Sequence, residues 1–86
     1  MTVKTLSIRS NMRKLDDSPL AMAVQKAGEF DSTIYITNGS MRANAKSLMG
    51  MLSMQVDPAE PVVITAEGPD EEAAAETLAE FIQSQL

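Results

Sequence analysis

The sequence contains no cysteine and no histidine, and these two absences exclude several kinds of chemistry. Without cysteine the chain has no disulfide, no thiol nucleophile and no thiolate zinc site, which fits a reducing compartment. Without histidine there is no Ser/His/Asp or Cys/His nucleophilic system, no imidazole metal cluster and no imidazole that accepts phosphate. We therefore expect no metal, no cofactor and no catalytic centre of these types.

Long apolar runs and aromatic residues are also scarce. No run approaches the roughly 20 apolar residues that span a bilayer, and the first 14 residues lack the apolar segment of a signal peptide. We expect a soluble, cytoplasmic protein that forms one domain over residues 1–86. The net charge of -5 and only three aromatic side chains make nucleic acid a poor partner.

Basic residues are missing from the second half of the chain. All seven lie in the first 46 residues, where four acids leave a net charge of +3, and the remaining 40 residues hold eight acids and no base, a net charge of -8. The ordinary interpretation of the acidic half is a solvated helix face that keeps the protein soluble.

The first half of the chain predicts a strand, a helix and a hairpin. Residues 2–9 alternate as in a half-buried strand, with Leu6 and Ile8 on one face. Ser18-Pro19 is a helix start signal, with serine as the N-cap and proline at the first helical position. Residues 33–37 alternate again, and Asn38-Gly39 predicts a two-residue hairpin turn. The apolar stripe of the intervening helix is Leu20, Ala23, Val24 and Ala27, and Gly28 ends it.

The second half predicts a helix, a strand and a further helix. Residues 44–54 form a short, methionine-rich helical segment in which Ser47 is a candidate N-cap. Val62 and Ile64 share one face of a strand over residues 62–66, which Gly68-Pro69 ends. The last helix begins with three acids at residues 70–72, where they complement the helix dipole. Its buried stripe is Ala74, Leu78, Phe81 and Ile82. The order βαββαβα indicates an α+β protein with one sheet covered by helices.

Four segments together resemble the bacterial phosphocarrier HPr family. They are VKTLSI at the start, PLAMAVQKAGEFDSTIYI, NAKSLMGMLSM, and ITAEGPDEEAAAETLAEFI near the end. The resemblance covers nearly the whole chain. It implies an open-faced β-sandwich, in which a four-stranded antiparallel sheet carries three helices on one face.

The resemblance also implies that the family's carrier site is altered. Members carry phosphate on a histidine in a Gly-Leu/Ile-His-Ala-Arg-Pro loop, and with Pro19 matched to the motif proline, Asp16 stands at the histidine, Asp17 at the alanine and Ser18 at the arginine. The chain is similar in this respect to the Crh branch, which lacks the active-site histidine. Arg13 and Lys14 are candidate replacements for the missing basic phosphate partner, although exposed loop charges are more often simply solvated.

The family's second phosphorylation site, the serine of the NAKS run, matches Ser47. A phosphate at a helix N-terminus meets free backbone N–H groups and the positive end of the helix dipole, so modification need not unfold the protein. The competing interpretation is that Ser47 is only an N-cap that contributes about 1 kcal/mol.

Leu48, Met49 and Leu52 match the exposed apolar patch through which the family docks on its protein partners. Flexible thioethers suit a surface that accepts different partners. The alternative is that a methionine-rich helix fills the core, for which Met51 and Met54 are the better candidates.

Three functions follow from the resemblance. The first is a regulatory protein without histidine carrier activity and not an enzyme, which an HPr kinase phosphorylates at Ser47 and which binds a transcription regulator or a metabolic enzyme. The second is a phosphocarrier that uses Asp16 as an acyl-phosphate acceptor. The third is a degenerate binding module without phosphorylation, in which Asp16 and Asp17 provide fixed negative charge. We favour the first.

Overall fold

A four-stranded antiparallel sheet forms the frame of the molecule. The computed structural model describes residues 1–7, 17–53 and 59–85. The strands are β1 (Thr2–Leu6), β2 (Thr33–Asn38), β3 (Met41–Asn44) and β4 (Val62–Glu67), arranged in the order β1-β4-β2-β3. β4 pairs with β1 on one side and with β2 on the other, so the two strands most distant in sequence lie side by side.

Three helices pack on one face of the sheet. They are α1 (Asp17–Ala27), α2 (Leu48–Ser53) and α3 (Glu71–Gln85), and the element order is βαββαβα as predicted. α3 contacts β1, β4 and α1, while α2 contacts α1 and β3. The predicted α+β class and the open-faced sandwich are confirmed.

The core lies between the helices and the inner face of the sheet, and small side chains supply much of it. Because helix packing distance depends on the side chains at the contact, the many alanines favour close approach of the layers. Ala23 and Ala27 of α1 are buried and Val24 is half-buried, as the predicted stripe requires, while Phe81 is half-buried rather than enclosed. The buried apolar residues are Ala23, Ala27, Ile34, Ile36, Ala43, Ala45, Met51, Val62, Ile64, Ala66, Ala74, Ala75, Leu78, Ala79 and Ile82.

The hairpin between β2 and β3 differs from the prediction by one residue. Asn38 belongs to β2 and pairs with Met41, so the two turn residues are Gly39 and Ser40 rather than Asn38 and Gly39. Gly39 has φ 60° and no other turn residue has a positive φ, which matches a type II′ turn with glycine first. Asn38 is buried, and its Nδ2 donates to the carbonyl oxygens of Glu60 and Pro61, both at 3.2 Å.

The boundaries of other elements also differ from the sequence expectation. α1 begins at Asp17 rather than after an N-cap at Ser18, which still leaves Pro19 in the first turn, where backbone N–H groups have no helical partner. β1 ends at Leu6, and Ile8 lies outside the described residues. α2 is shorter than predicted because Asn44 ends β3.

Candidate phosphorylation and docking site

Ser47 caps the N-terminus of α2. Its exposed Oγ accepts a hydrogen bond from the Gly50 N–H at 3.2 Å, and its carbonyl oxygen accepts from the Met51 N–H at 2.9 Å. These two contacts are those of a helix N-cap, as predicted. A Cβ at position 50 would lie 3.2 Å from the Ser47 Oγ, so glycine at this position keeps the space beside the hydroxyl open.

The turn before Ser47 is fixed by Asn44, the last residue of β3. The Asn44 Oδ1 accepts a hydrogen bond from the Lys46 N–H, and the Asn44 carbonyl accepts one from the Ser47 N–H, both at 2.9 Å. Asparagine side chains commonly organise a turn in this way. Asn44 therefore does not begin the helix, and it orients the chain so that Ser47 can cap it.

Lys46 joins this turn to the loop that follows α1. Its Nζ donates to the Phe30 carbonyl oxygen at 2.7 Å, and the side chain remains exposed. A positive charge thus stands one residue before the Ser47 hydroxyl. The sequence shows the Lys46–Ser47 neighbours, but it gives no signal of the contact to Phe30, which lies 16 residues away.

α2 turns one side to solvent and the other to the core. Leu48, Met49 and Leu52 are 45%, 80% and 41% exposed, whereas Met51 is only 1% exposed. We call the three exposed residues the α2 patch. Met49 is therefore a surface methionine and Met51 a core methionine, as predicted. Met54 lies outside the described residues.

Asp70 pins the loop after α1 to the start of α3. Its carboxylate accepts hydrogen bonds from the Asp31 N–H and the Ser32 N–H, both at 2.9 Å, and from the buried Ser32 hydroxyl. Above all the Ser32 hydroxyl, and then these backbone donors, lower the pKa of Asp70 because they stabilise the ionised carboxylate. The close packing needs Gly68, with φ 152°, since a Cβ there would lie 2.6 Å from the Ser32 Oγ.

Glu71 makes a separate contact with the start of β1. Its Oε2 accepts a hydrogen bond from the Thr2 hydroxyl at 2.8 Å and lies 2.8 Å from the Met1 ammonium. The ammonium, followed by the Thr2 hydroxyl, lowers the pKa of Glu71, and Glu71 in turn raises the pKa of the Met1 ammonium. The sequence assigns Asp70 and Glu71 only to the helix dipole, because their partners lie far away in the chain.

Several predicted site residues are not placed by the structure. Arg13, Lys14 and Asp16 lie outside the described residues, and of Asp17 only the backbone, at the start of α1, is described. Within residues 1–7, 17–53 and 59–85, no group of three or more acidic, cysteine or histidine side chains could hold a metal ion. Across the same ranges no helix has the length and apolar character needed to cross a membrane.

Comparison with known sequences gives one family. A family model described as the PTS HPr component phosphorylation site matches residues 4–84. The chain is 36% identical over 72 residues to the HPr-like protein Crh of Bacillus subtilis, and the alignment covers 84% of this chain and 85% of Crh. It is 35% identical over 86 residues to the phosphocarrier protein HPr of Treponema pallidum, and this alignment covers 100% of this chain and 97% of that protein.

Comparison with solved structures agrees with the sequence matches. The crystal structure of HPr-C-His from Thermoanaerobacter tengcongensis superposes with a TM-score of 0.83 and 38% sequence identity, covering 99% of this chain and 94% of that chain. The shared arrangement is the four-stranded antiparallel sheet with three helices described above.

Proposed function

The chain belongs to the HPr family, which is related to the phosphotransferase system, and on that premise we propose that it is a regulatory protein switched by phosphorylation of Ser47. It does not act as a histidine phosphocarrier or as an enzyme in its own right. Its partners are an HPr kinase and, after phosphorylation, a transcription regulator of catabolite genes or a metabolic enzyme.

The observation that carries this proposal is the exposure of the Ser47 hydroxyl at the start of α2. The chain has no histidine to accept phosphate, whereas Ser47 is exposed and its Oγ accepts a hydrogen bond from the Gly50 N–H. A kinase needs such an approach to the oxygen that attacks the γ-phosphate. No core side chain has to move for the oxygen to be reached.

Phosphorylation changes the charge of this surface without disturbing its frame. A phosphate adds about -1.5 to -2 charge and three acceptor oxygens next to Lys46. The sheet and the buried Met51 lie behind the site and keep their contacts. The effect of the modification therefore falls mainly on partners, since the new charge attracts a basic surface and repels an acidic one.

The α2 patch supplies the apolar part of the same interface. Its three side chains are large and exposed, and they follow Ser47 directly along the helix. A partner that covers the patch buries apolar surface. A basic residue of the partner, next to the patch, binds the phosphate through charge-assisted hydrogen bonds. Apolar burial thus provides binding energy, and the phosphate provides control.

The test is the affinity for a purified repressor-type regulator of catabolite genes, before and after treatment of the chain with HPr kinase and ATP. We expect the treated chain to bind at least about tenfold more tightly, as one charge-assisted contact of about 1.4 kcal/mol or more requires. Ser47→Ala removes the gain. Ser53→Ala is the matched control, because Ser53 is an exposed serine at the other end of α2.

Two results would contradict the proposal. One is equal affinity of the treated and untreated chains. The other is a gain in affinity that survives Ser47→Ala and disappears in Ser53→Ala, which would move the switch to the end of α2.

A further inference from the structure

Sulfur chemistry in this chain belongs entirely to methionine. The sequence has seven methionines and no cysteine. A peroxide that reaches the protein therefore finds thioethers as its only sulfur targets. Their susceptibility to oxidation follows solvent exposure, as it does for thiols.

Two methionines of α2 differ sharply in exposure. Met49 is 80% exposed, the highest value among the large apolar residues that the structure exposes, while Met51 is 1% exposed two positions later. The other exposed methionines in the described ranges are Met1 at 72%, Met22 at 48% and Met41 at 41%. Met49 is the one that stands in the α2 patch, between Leu48 and Leu52.

We propose that Met49 is a site of reversible oxidation by peroxides that controls docking through the α2 patch. The thioether sulfur of Met49 attacks one oxygen of hydrogen peroxide, a sulfur–oxygen bond forms as the O–O bond breaks, and the second oxygen leaves as water. The sulfur is oxidised by two electrons, and the peroxide is reduced by two. A methionine sulfoxide reductase returns the thioether with two electrons from a pair of thiols, which become a disulfide while the sulfoxide oxygen leaves as water.

The consequence for binding follows from the polarity of the product. A sulfoxide oxygen is a hydrogen-bond acceptor, and a partner pocket shaped for an apolar side chain would bury it without a donor. Since Met51 fills the core and stays reduced, the fold does not change. This consequence rests on the proposed function, in which the α2 patch is the docking surface.

The first experiment measures the oxidation sites alone. The folded chain is treated with hydrogen peroxide, and peptide mass spectrometry follows each methionine over time. We expect sulfoxide at Met49 to form at least about tenfold faster than at Met51, in line with their exposure. Equal rates at the two positions, or faster oxidation of Met51, would overturn the assignment.

The second experiment measures docking with purified HPr kinase as the probe. Oxidation at Met49 is expected to weaken binding by about tenfold, the loss of one apolar anchor, and methionine sulfoxide reductase restores it. Met49→Leu keeps an apolar side chain without sulfur, so its binding should not respond to peroxide, whereas Met22→Leu should respond as the wild type does.

The outcomes separate this inference from the proposed function. A chain that carries Met49 sulfoxide and binds the kinase as tightly as the reduced chain overturns the docking control, as does a Met49→Leu variant that still loses binding on oxidation. A reduced chain that does not bind the kinase at all contradicts the proposed function and the docking control together, and the oxidation rates still decide the modification site.

Discussion

Ser47 combines a structural role and a proposed chemical role, and substitution at this one position separates them. Ser47→Ala removes both the cap and the hydroxyl, and we expect a loss of about 1 kcal/mol in the free energy of unfolding. Ser47→Asn keeps an N-cap acceptor without a hydroxyl, so it should unfold near the wild-type urea midpoint. Neither variant should accept phosphate from HPr kinase. Wild-type stability of Ser47→Ala would contradict the capping role.

Leu48 and Met51 test whether the two sides of α2 differ as their exposure indicates. Leu48→Asp places a charge on an exposed position, so we expect the free energy of unfolding to change by less than about 0.5 kcal/mol. Partner binding should nevertheless weaken, because an apolar anchor is lost. Met51→Ala should cost about 2–5 kcal/mol because it opens a cavity in the core. Urea unfolding of both variants decides the matter, and a large loss in Leu48→Asp would place Leu48 in the core.

Asp70 gives a prediction about pH. Because its pKa is lowered in the folded protein, its contribution to stability is present above its unfolded value and disappears as pH falls through the folded value. In wild type one carboxylate oxygen accepts from the Asp31 N–H and the other from the Ser32 N–H and hydroxyl. Asp70→Asn keeps only one acceptor oxygen, so the variant should be less stable at neutral pH. The deficit relative to wild type should shrink as pH falls below about 4.

The measurement is the urea midpoint of both chains across that pH range, with Glu72→Gln as the control. Glu72 is exposed in the first turn of α3, two residues after Asp70, so its substitution should produce little change. The contribution of Glu71 is common to both chains and cancels in the difference. A deficit of Asp70→Asn that stays constant down to strongly acidic pH would contradict the account of this carboxylate.

At the scale of elements, the β2–β3 hairpin depends on the backbone of Gly39. Gly39→Ala adds a Cβ to a residue with positive φ, and this Cβ would lie 3.1 Å from the Glu60 Cγ. We therefore expect a loss of about 1 kcal/mol in the free energy of unfolding. Gly28→Ala is the matched control, because φ is not positive there and the nearest atom, the Gln25 carbonyl oxygen, lies 3.4 Å away. Equal losses in the two variants would show that backbone conformation is not the cause.

The elements that the sequence predicts well are those whose signals are local. Apolar spacing identifies β2, β4 and α3, and it identifies the buried Ile34, Ile36 and Leu78. The cap at Ser47 is also local, since donor and acceptor are three residues apart. These features depend on neighbours in the chain, which a sequence displays directly.

The features that the sequence misses depend on partners far away in the chain. Asn38 is assigned to a turn by its Asn-Gly context, yet its amide holds the backbone at Glu60 and Pro61, 22 and 23 residues away. Asp70 is assigned to the helix dipole, yet it binds backbone and hydroxyl groups near residue 32. Only the folded arrangement brings these groups together.

At the scale of the whole molecule, contacts between segments distant in sequence hold together the sheet and helices on which Ser47 lies. β1 and β4 pair across more than 50 residues, Asp70 holds the loop after α1, and Lys46 holds the same loop from the side of α2. Ser47 and the α2 patch lie on the surface of this sheet-and-helix structure. A change of charge or polarity there should therefore affect partner binding more than core packing.

The direct test of the central claim is the intact mass of the chain after incubation with each of two phosphate donors. With HPr kinase and ATP, we expect a gain of one phosphoryl group that is stable to acid and absent in Ser47→Ala. With phosphoenolpyruvate and the general phosphotransferase enzyme, we expect no gain. The contrary result is no phosphate from the kinase, together with a hydroxylamine-sensitive phosphate from phosphoenolpyruvate that disappears in Asp16→Ala, which would make the chain a carrier.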